Sequence, residues 1–225
     1  MKLRSGLVAA LLACGSAWTP AQPMLPAAVQ DEVESALLDY QAGRMDAARL
    51  AWQALAQRRV PLAEFNLAMM HMRREVPQPD TALAAKLLQR AADAGFVTAQ
   101  FTLAQGLENG ELGPASRDLV KAHDWYERAA KAGSVDAQVA MGTAFYLGRG
   151  RPKDAILAAY WYREAANRGE VGAMYLLASM YEQGDGVALD LRLARHWYAA
   201  AARAGDVAAP GKVREIDARL AAQPL

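Results

Sequence analysis

Apolar positions along this chain recur in blocks, and each block has the same internal order. The motif Ala-Ala-x-x-Gly appears as Ala91-Ala92-Asp93-Ala94-Gly95, Ala129-Ala130-Lys131-Ala132-Gly133, Ala165-Ala166-Asn167-Arg168-Gly169 and Ala201-Ala202-Arg203-Ala204-Gly205, at spacings of 38, 36 and 36. Eight residues before each Gly stands Leu87, Trp125, Trp161 or Trp197, and the last three are followed by Tyr126, Tyr162 and Tyr198. Fifteen residues before each Gly stands Asp80, Asp118, Asp154 or Asp190. Ala99, Ala137 and Ala173 follow the first three Gly by four residues, and Ala63 matches them upstream. A period in this range is the signature of a stacked array.

Each column has a physical reading. The Asp predicts a helix start, because its carboxylate accepts from the unpaired amides of the first turn. The Gly predicts that helix's end, where the chain commonly takes a positive φ. Between them Leu119, Ala122, Tyr126 and Ala129, and then Leu157, Trp161 and Ala165, fall at three- and four-residue spacing, so the second helix of each repeat has one apolar face. The first helices run for about ten residues from Ala63, Ala99, Ala137 and Ala173. Helices that short are marginal alone and need a partner helix and the next repeat. Gly110 with Gly113, Gly148 with Gly150, and Gly184 with Gly186 mark the turns within repeats.

These boundaries divide the chain into a leader over 1–21, a linker over 22–30, a worn opening helix pair over 31–62, repeats over 63–98, 99–136, 137–172 and 173–206, and a closing segment over 207–225. Tyr40, Gly43, Asp46 and Trp52 carry the opening pair, and Val213, Ile216 and Leu220 give the closing helix its apolar stripe. The expected fold is all-α, a right-handed α-solenoid of about four to five antiparallel helix pairs with a C-terminal capping helix.

The run Tyr181-x-x-Gly184-x-Gly186-Val187-x-x-Asp190-x-x-Leu193-Ala194-x-x-Trp197-Tyr198-x-x-Ala201-Ala202-x-x-Gly205 resembles the Sel1-like repeat, a relative of the tetratricopeptide repeat, and Phe145 through Gly169 matches at the same intervals. The resemblance covers about 63–205. It implies antiparallel helix pairs winding into a superhelix, with first helices lining the concave face, in a protein that serves as an adaptor in envelope assembly, secretion or signalling. Two departures stand out: two extra residues around Gly113-Pro114, and a first repeat without paired glycines and with Leu87 in the Trp column.

By analogy with that family, Leu67, Leu103, Met141 and Leu177, with Ala68, Ala104, Gly142 and Ala178, form the buried contact. One ladder of Phe65, Phe101, Val139 and Tyr175, and another of Met69, Gln105, Thr143 and Ser179 one turn away, are then the positions that face a groove and hold a peptide segment. The competing reading places Phe65, Phe101 and Tyr175 in packing within each repeat.

Composition narrows the function. Hydrophobic residues make up 53% of the chain but aromatics only 8%, the balance of a helical core built on Ala. Lys plus Arg (25) and Asp plus Glu (24) nearly cancel, leaving no electrostatic footprint for nucleic acid. Lys2 and Arg4 precede an apolar run from Gly6 to Cys14, and small or turn-forming residues follow to Pro23. This is the order of a secretory signal, and the run is too short to span a bilayer, so the expected location is periplasmic, with cleavage after Ala21 and no transmembrane span in the mature chain. Cys14, the single cysteine, sits in Leu11-Leu12-Ala13-Cys14, which resembles a lipobox. Lipid attachment there is the alternative. With no cysteine beyond the leader, disulfides play no part in the folded region.

Chemistry is sparse. His71, His123 and His196 are too far apart for a zinc motif, and neither metal nor cofactor is expected. No Ser-x-x-Lys or Gly-x-Ser-x-Gly occurs. Cysteine-rich members of the resembled family have been described as binding or hydrolysing β-lactams, but the cysteines are missing here. Gly148-Arg149-Gly150-Arg151 reads as a repeat turn, and Arg58-Arg59 and Arg73-Arg74-Glu75 as solvated helix ends or, alternatively, a dock for an acidic segment. The expected function is a non-catalytic protein-interaction scaffold. A repeat-built regulator of a membrane or secretion complex, and an envelope hydrolase, are the rivals.

Overall fold

The computed structural model describes residues 25–113 and 116–222. Among them are eleven α-helices and no strand, each helix packed on the next within two compact units that divide after Arg117. The leader, with Cys14 and Ala21, lies outside the described residues, as does Pro114. No described helix is long and apolar enough to cross a membrane.

The first unit holds α1 (Ala27–Gln41), α2 (Met45–Gln57), α3 (Pro61–Met72), α4 (Thr81–Asp93) and α5 (Val97–Asn109). The helix α1 starts at Ala27, and its buried stripe begins with Val29, Val33 and Ala36. Pro61 opens α3, where its fixed φ and missing N–H cost nothing. The turns bounding α3 take the left-handed conformation at Arg59 (φ 63°) and Arg74 (φ 58°), where later repeats have glycine. The hydrogen bonds of a glycine turn are kept: Val60 N–H donates to the Leu55 carbonyl at 3.2 Å and Glu75 N–H to that of Met70 at 2.9 Å.

The second unit holds α6 (Leu119–Lys131), α7 (Val135–Leu147), α8 (Ala155–Asn167), α9 (Val171–Gln183), α10 (Leu191–Arg203) and α11 (Ala209–Ala221). In both units the Asp column caps the second helices. Asp80, Asp118 and Asp154 each accept from the amide three residues on at 2.9 Å, and Asp190 accepts from Arg192 and Leu193. The Lys121 amide holds the Asp118 carboxyl below its ordinary pKa. At the other end the Ala-Ala-x-x-Gly motif closes a turn in which the residue after Gly donates back to the first Ala, as Glu170 does to Ala165 at 3.1 Å and Asp206 to Ala201 at 2.9 Å. Those Ala carry no exposed surface, so helices approach closely there.

Glycine is sterically required at two of the turns within repeats. A Cβ on Gly150 would overlap the Leu119 carbonyl oxygen, and one on Gly186 that of Ala155, at the first residue of the preceding second helix. Both also hold positive φ, 73° and 69°. Trp125, Tyr126, Trp161, Tyr162 and Tyr198 are buried, which places the recurring aromatics in the core. The last described helix is α11, whose Ile216 is fully buried beside Leu191, Ala194 and Tyr198. Glu182 ties that end together, accepting from Tyr198 Oη at 2.8 Å, Arg219 Nη1 at 2.8 Å and Lys212 Nζ at 3.4 Å. Burial and the Glu182 carboxylate raise the Tyr198 pKa well above its usual value.

Candidate partner-binding surface

The first helices of the repeats are α3, α5, α7 and α9, and each seals one face. Leu67 and Ala68, Leu103 and Ala104, Met141 and Gly142, and Leu177 and Ala178 are all buried. Gly142 lies under the Tyr162 ring, 2.6 Å from where a Cβ would stand, which is why a small residue occupies this column.

In the first unit, Phe65 is buried and meets Phe96 edge to face at 5.4 Å, so its ring belongs to the packing between α3 and the turn before α5. Met69 and Phe101 are half-buried, and Gln105 is exposed. In the second unit, Val139 is half-buried against the Ala158–Tyr162 cluster. Thr143 Oγ1 lies 3.1 Å from Tyr162 Oη, Tyr175 meets Tyr198 edge to face at 5.0 Å, and Ser179 Oγ accepts from Gln183 Nε2 at 3.0 Å. The apolar ladder therefore shares its rings and methyls with the neighbouring helices. The polar ladder is the more open of the two, with Gln105 at its most accessible point.

The three histidines do not assemble. His71 Nδ1 accepts from the Asp80 amide at 3.1 Å, and His196 packs on Trp197. His123 is buried edge to face against Phe145 at 4.9 Å with neither ring nitrogen hydrogen-bonded, and burial, with the Arg151 charge adding, lowers its pKa. No group of three or more His, Cys, Asp or Glu among the described residues is placed to hold a metal. The arginines of Gly148-Arg149-Gly150-Arg151 belong to a turn, where Arg151 pairs with Asp124.

One feature escaped the repeat pattern. Glu64, fully buried on α3, accepts from Arg90 of α4, which also donates to the Ala56 carbonyl at 3.2 Å. Beside this pair a cleft of about 670 Å³ opens between α2, α3, α4 and the connection leading into α4. Its sequence signals were Val76 and Leu87, the residues at which the first repeat departs from the glycine and Trp columns.

Short paired helices, each first helix with one face sealed in the core, define a helical-repeat protein. Four consecutive segments, 61–96, 97–134, 135–170 and 171–206, match the Sel1 repeat, and the chain belongs to the Sel1 repeat family, whose members are generally non-catalytic protein-interaction scaffolds. Each matched segment opens at the first residue of a first helix, two positions before the Ala63, Ala99, Ala137 and Ala173 column. Among solved structures, a protective antigen present in uropathogenic Escherichia coli strains, displaying an SLR fold, is 27% identical with a TM-score of 0.73, over 78% of this chain and 37% of that one. A Sel1 repeat protein from Oxalobacter formigenes is 30% identical with a TM-score of 0.68, over 76% of this chain and 49% of that one. The chain thus spans less than half the length of either structure. No curated protein matches its sequence.

Proposed function

We propose that this protein is an exported, non-catalytic scaffold of the bacterial envelope that holds a segment of a partner protein on the open face of its first helices. The carrying observation is the division of labour on those helices: one face is sealed in the core, while Met69, Phe101 and Gln105 in the first unit, and Thr143 and Ser179 in the second, keep polar or half-exposed surface. Half-buried apolar atoms supply burial and the amide and hydroxyl groups supply hydrogen bonds to an extended or helical segment. Export rests on the leader pattern, with cleavage after Ala21 releasing the chain to the periplasm.

The double variant Phe101→Ala with Gln105→Ala tests the surface. Partners crosslinked to the wild-type protein in envelope extracts are expected to be lost from the variant while its helical circular dichroism is unchanged; equal capture by a folded variant would remove this face from the account. The intact mass of the mature protein tests the leader. A mass beginning at Gln22 is expected, and a diacylglyceryl-modified Cys14 would replace the soluble form with an anchored one.

A further inference from the structure

In the second unit, Trp197 packs onto the core that joins Tyr162 of the preceding repeat to Leu177 of its own, and Gly186 brings the turn within its repeat against the start of α8. The equivalent positions in the first repeat, counted back from Gly95 as those are from Gly205, are Leu87 and Val76. Leu87 lacks the bulk of an indole, and the buried Val76 side chain keeps its turn from the backbone approach that glycine permits at 150 and 186. Both departures open the same place, the cleft of about 670 Å³ in the first unit.

Arg49, Arg59 and Arg90 line that cleft together with His71, and no Asp or Glu is among its lining residues; the carboxylates that pair with these arginines, Asp46 with Arg49 and Glu64 with Arg59 and Arg90, stand outside the lining. Arg90 uses Nη2 on Glu64 and the Ala56 carbonyl, but its Nε is buried with no hydrogen-bond acceptor. Arg49 Nε is likewise buried without one, the nearest carboxylate oxygen, on Asp46, being 3.6 Å away. Two buried guanidinium donors left unfilled are costly unless something completes them. Because His71 Nδ1 is occupied as an acceptor, the proton of the neutral imidazole sits on Nε2 and makes it one more donor. Leu67, Leu83 and Leu87 give an apolar floor.

We infer that this cleft binds the carboxylate side chain of an acidic peptide segment, with Arg49 and Arg90 taking the carboxylate oxygens and the leucines the methylene groups. The inference takes the scaffold reading as its premise and assigns the partner's chemistry at a second place on the molecule. A planar guanidinium matches a carboxylate in two parallel hydrogen bonds, and donors without acceptors select an anion. Peptide is favoured over nucleic acid because the chain's net charge is only +1 and the cleft presents no Phe, Tyr or Trp on which a base would stack.

The test is fluorescence anisotropy of a fluorescein-labelled heptaglutamate amide with the purified protein, its Leu87→Trp variant and its Arg49→Gln variant, and with citrate as competitor. Leu87→Trp installs the residue of the other repeats and narrows the cleft at its apolar floor without touching a charge; Arg49→Gln removes one charge and leaves the apolar floor in place. Saturable binding weakened about tenfold or more by each folded variant, with citrate displacing the peptide only weakly, is expected. Absence of binding to the wild type, undiminished binding by Leu87→Trp, or strong citrate binding without peptide binding would each overturn the assignment. Should the peptide fail to bind while Phe101→Ala with Gln105→Ala still loses its crosslinked partners, the cleft alone falls; if the wild type captures no partner, the scaffold reading falls with it.

Discussion

The helices after Asp118 and those before it meet the same demand with different side chains. In the second unit Gly150 and Gly186 let each turn touch the preceding second helix, and Trp161 and Tyr162, then Trp197 and Tyr198, fill the space between repeats. In the first unit arginines occupy the two left-handed turn positions that bound α3, Val76 stands for the glycine, Leu87 for the Trp, and an ion pair between Glu64 and Arg90 sits in the gap. Uniform columns are spent on packing, since each copy does one structural task. Where the columns are broken, the chain gains polar groups and an opening. The difference teaches that function in such an array is better sought at its irregular positions than at its repeated ones.

Moving one unit's residues into the other breaks the comparison most sharply. Gly186→Val sets the first unit's side chain into a positive-φ turn against the Ala155 carbonyl, and is expected to cost about 3 kcal/mol or more in urea unfolding followed by circular dichroism. A loss below 1 kcal/mol would mean that the turn relaxes freely, and that Val76 does not explain the cleft. Next in size is Glu182→Ala, which strands Tyr198 and Arg219 in the second unit and leaves Lys212 only Glu215 at 3.1 Å. Its expected cost is about 2 kcal/mol, moderated because both cations keep partial solvent contact. Hydrogen exchange on the same variant should then show α11 losing amide protection first.

Asp154→Ala removes the cap of α8 and should cost about 1 kcal/mol, recovered largely by Asp154→Asn. In the opposite direction, Arg74→Gly gives the first unit the glycine of the other repeats and should raise stability by about 0.5–1 kcal/mol, since an L-residue at φ 58° is strained. The smallest effect is a pH dependence. His123 has its pKa lowered on folding, so the unfolded chain takes the proton first and stability is lost as pH falls below the ordinary imidazole value of about 6.5 toward the folded pKa. Urea midpoints at pH 7.5 and 5.5 should converge in His123→Phe relative to wild type; an equal drop in both would place the acid sensitivity elsewhere.

Much of the fold was legible because it repeats. The Asp caps, the Ala-Ala-x-x-Gly turns and the aromatic columns each recur, and a periodic signal survives a single ambiguous residue. The surface was harder to read. Phe65 and Phe101 sit in one column, yet Phe65 is buried because Phe96, in the turn before α5, offers it a ring, a contact that no other repeat copies. Arg59 and Arg74 read as solvated helix ends, since nothing local distinguishes an exposed arginine from one holding a left-handed turn. Glu64 and Arg90 lie 26 residues apart in unlike columns, so only the packing of α3 against α4 reveals them as partners. The departures at Val76 and Leu87 were visible as departures, but what they open depends on the helices around them.

The most direct test of the account is site-specific photocrosslinking in living cells, with benzoylphenylalanine placed at Gln105 on a first helix or at Ile156 on a second helix, both exposed. Recognition through the first helices predicts a discrete higher-mass adduct from position 105 and none from position 156. Adducts from position 156 alone would put the working surface on the opposite helices and contradict the central claim.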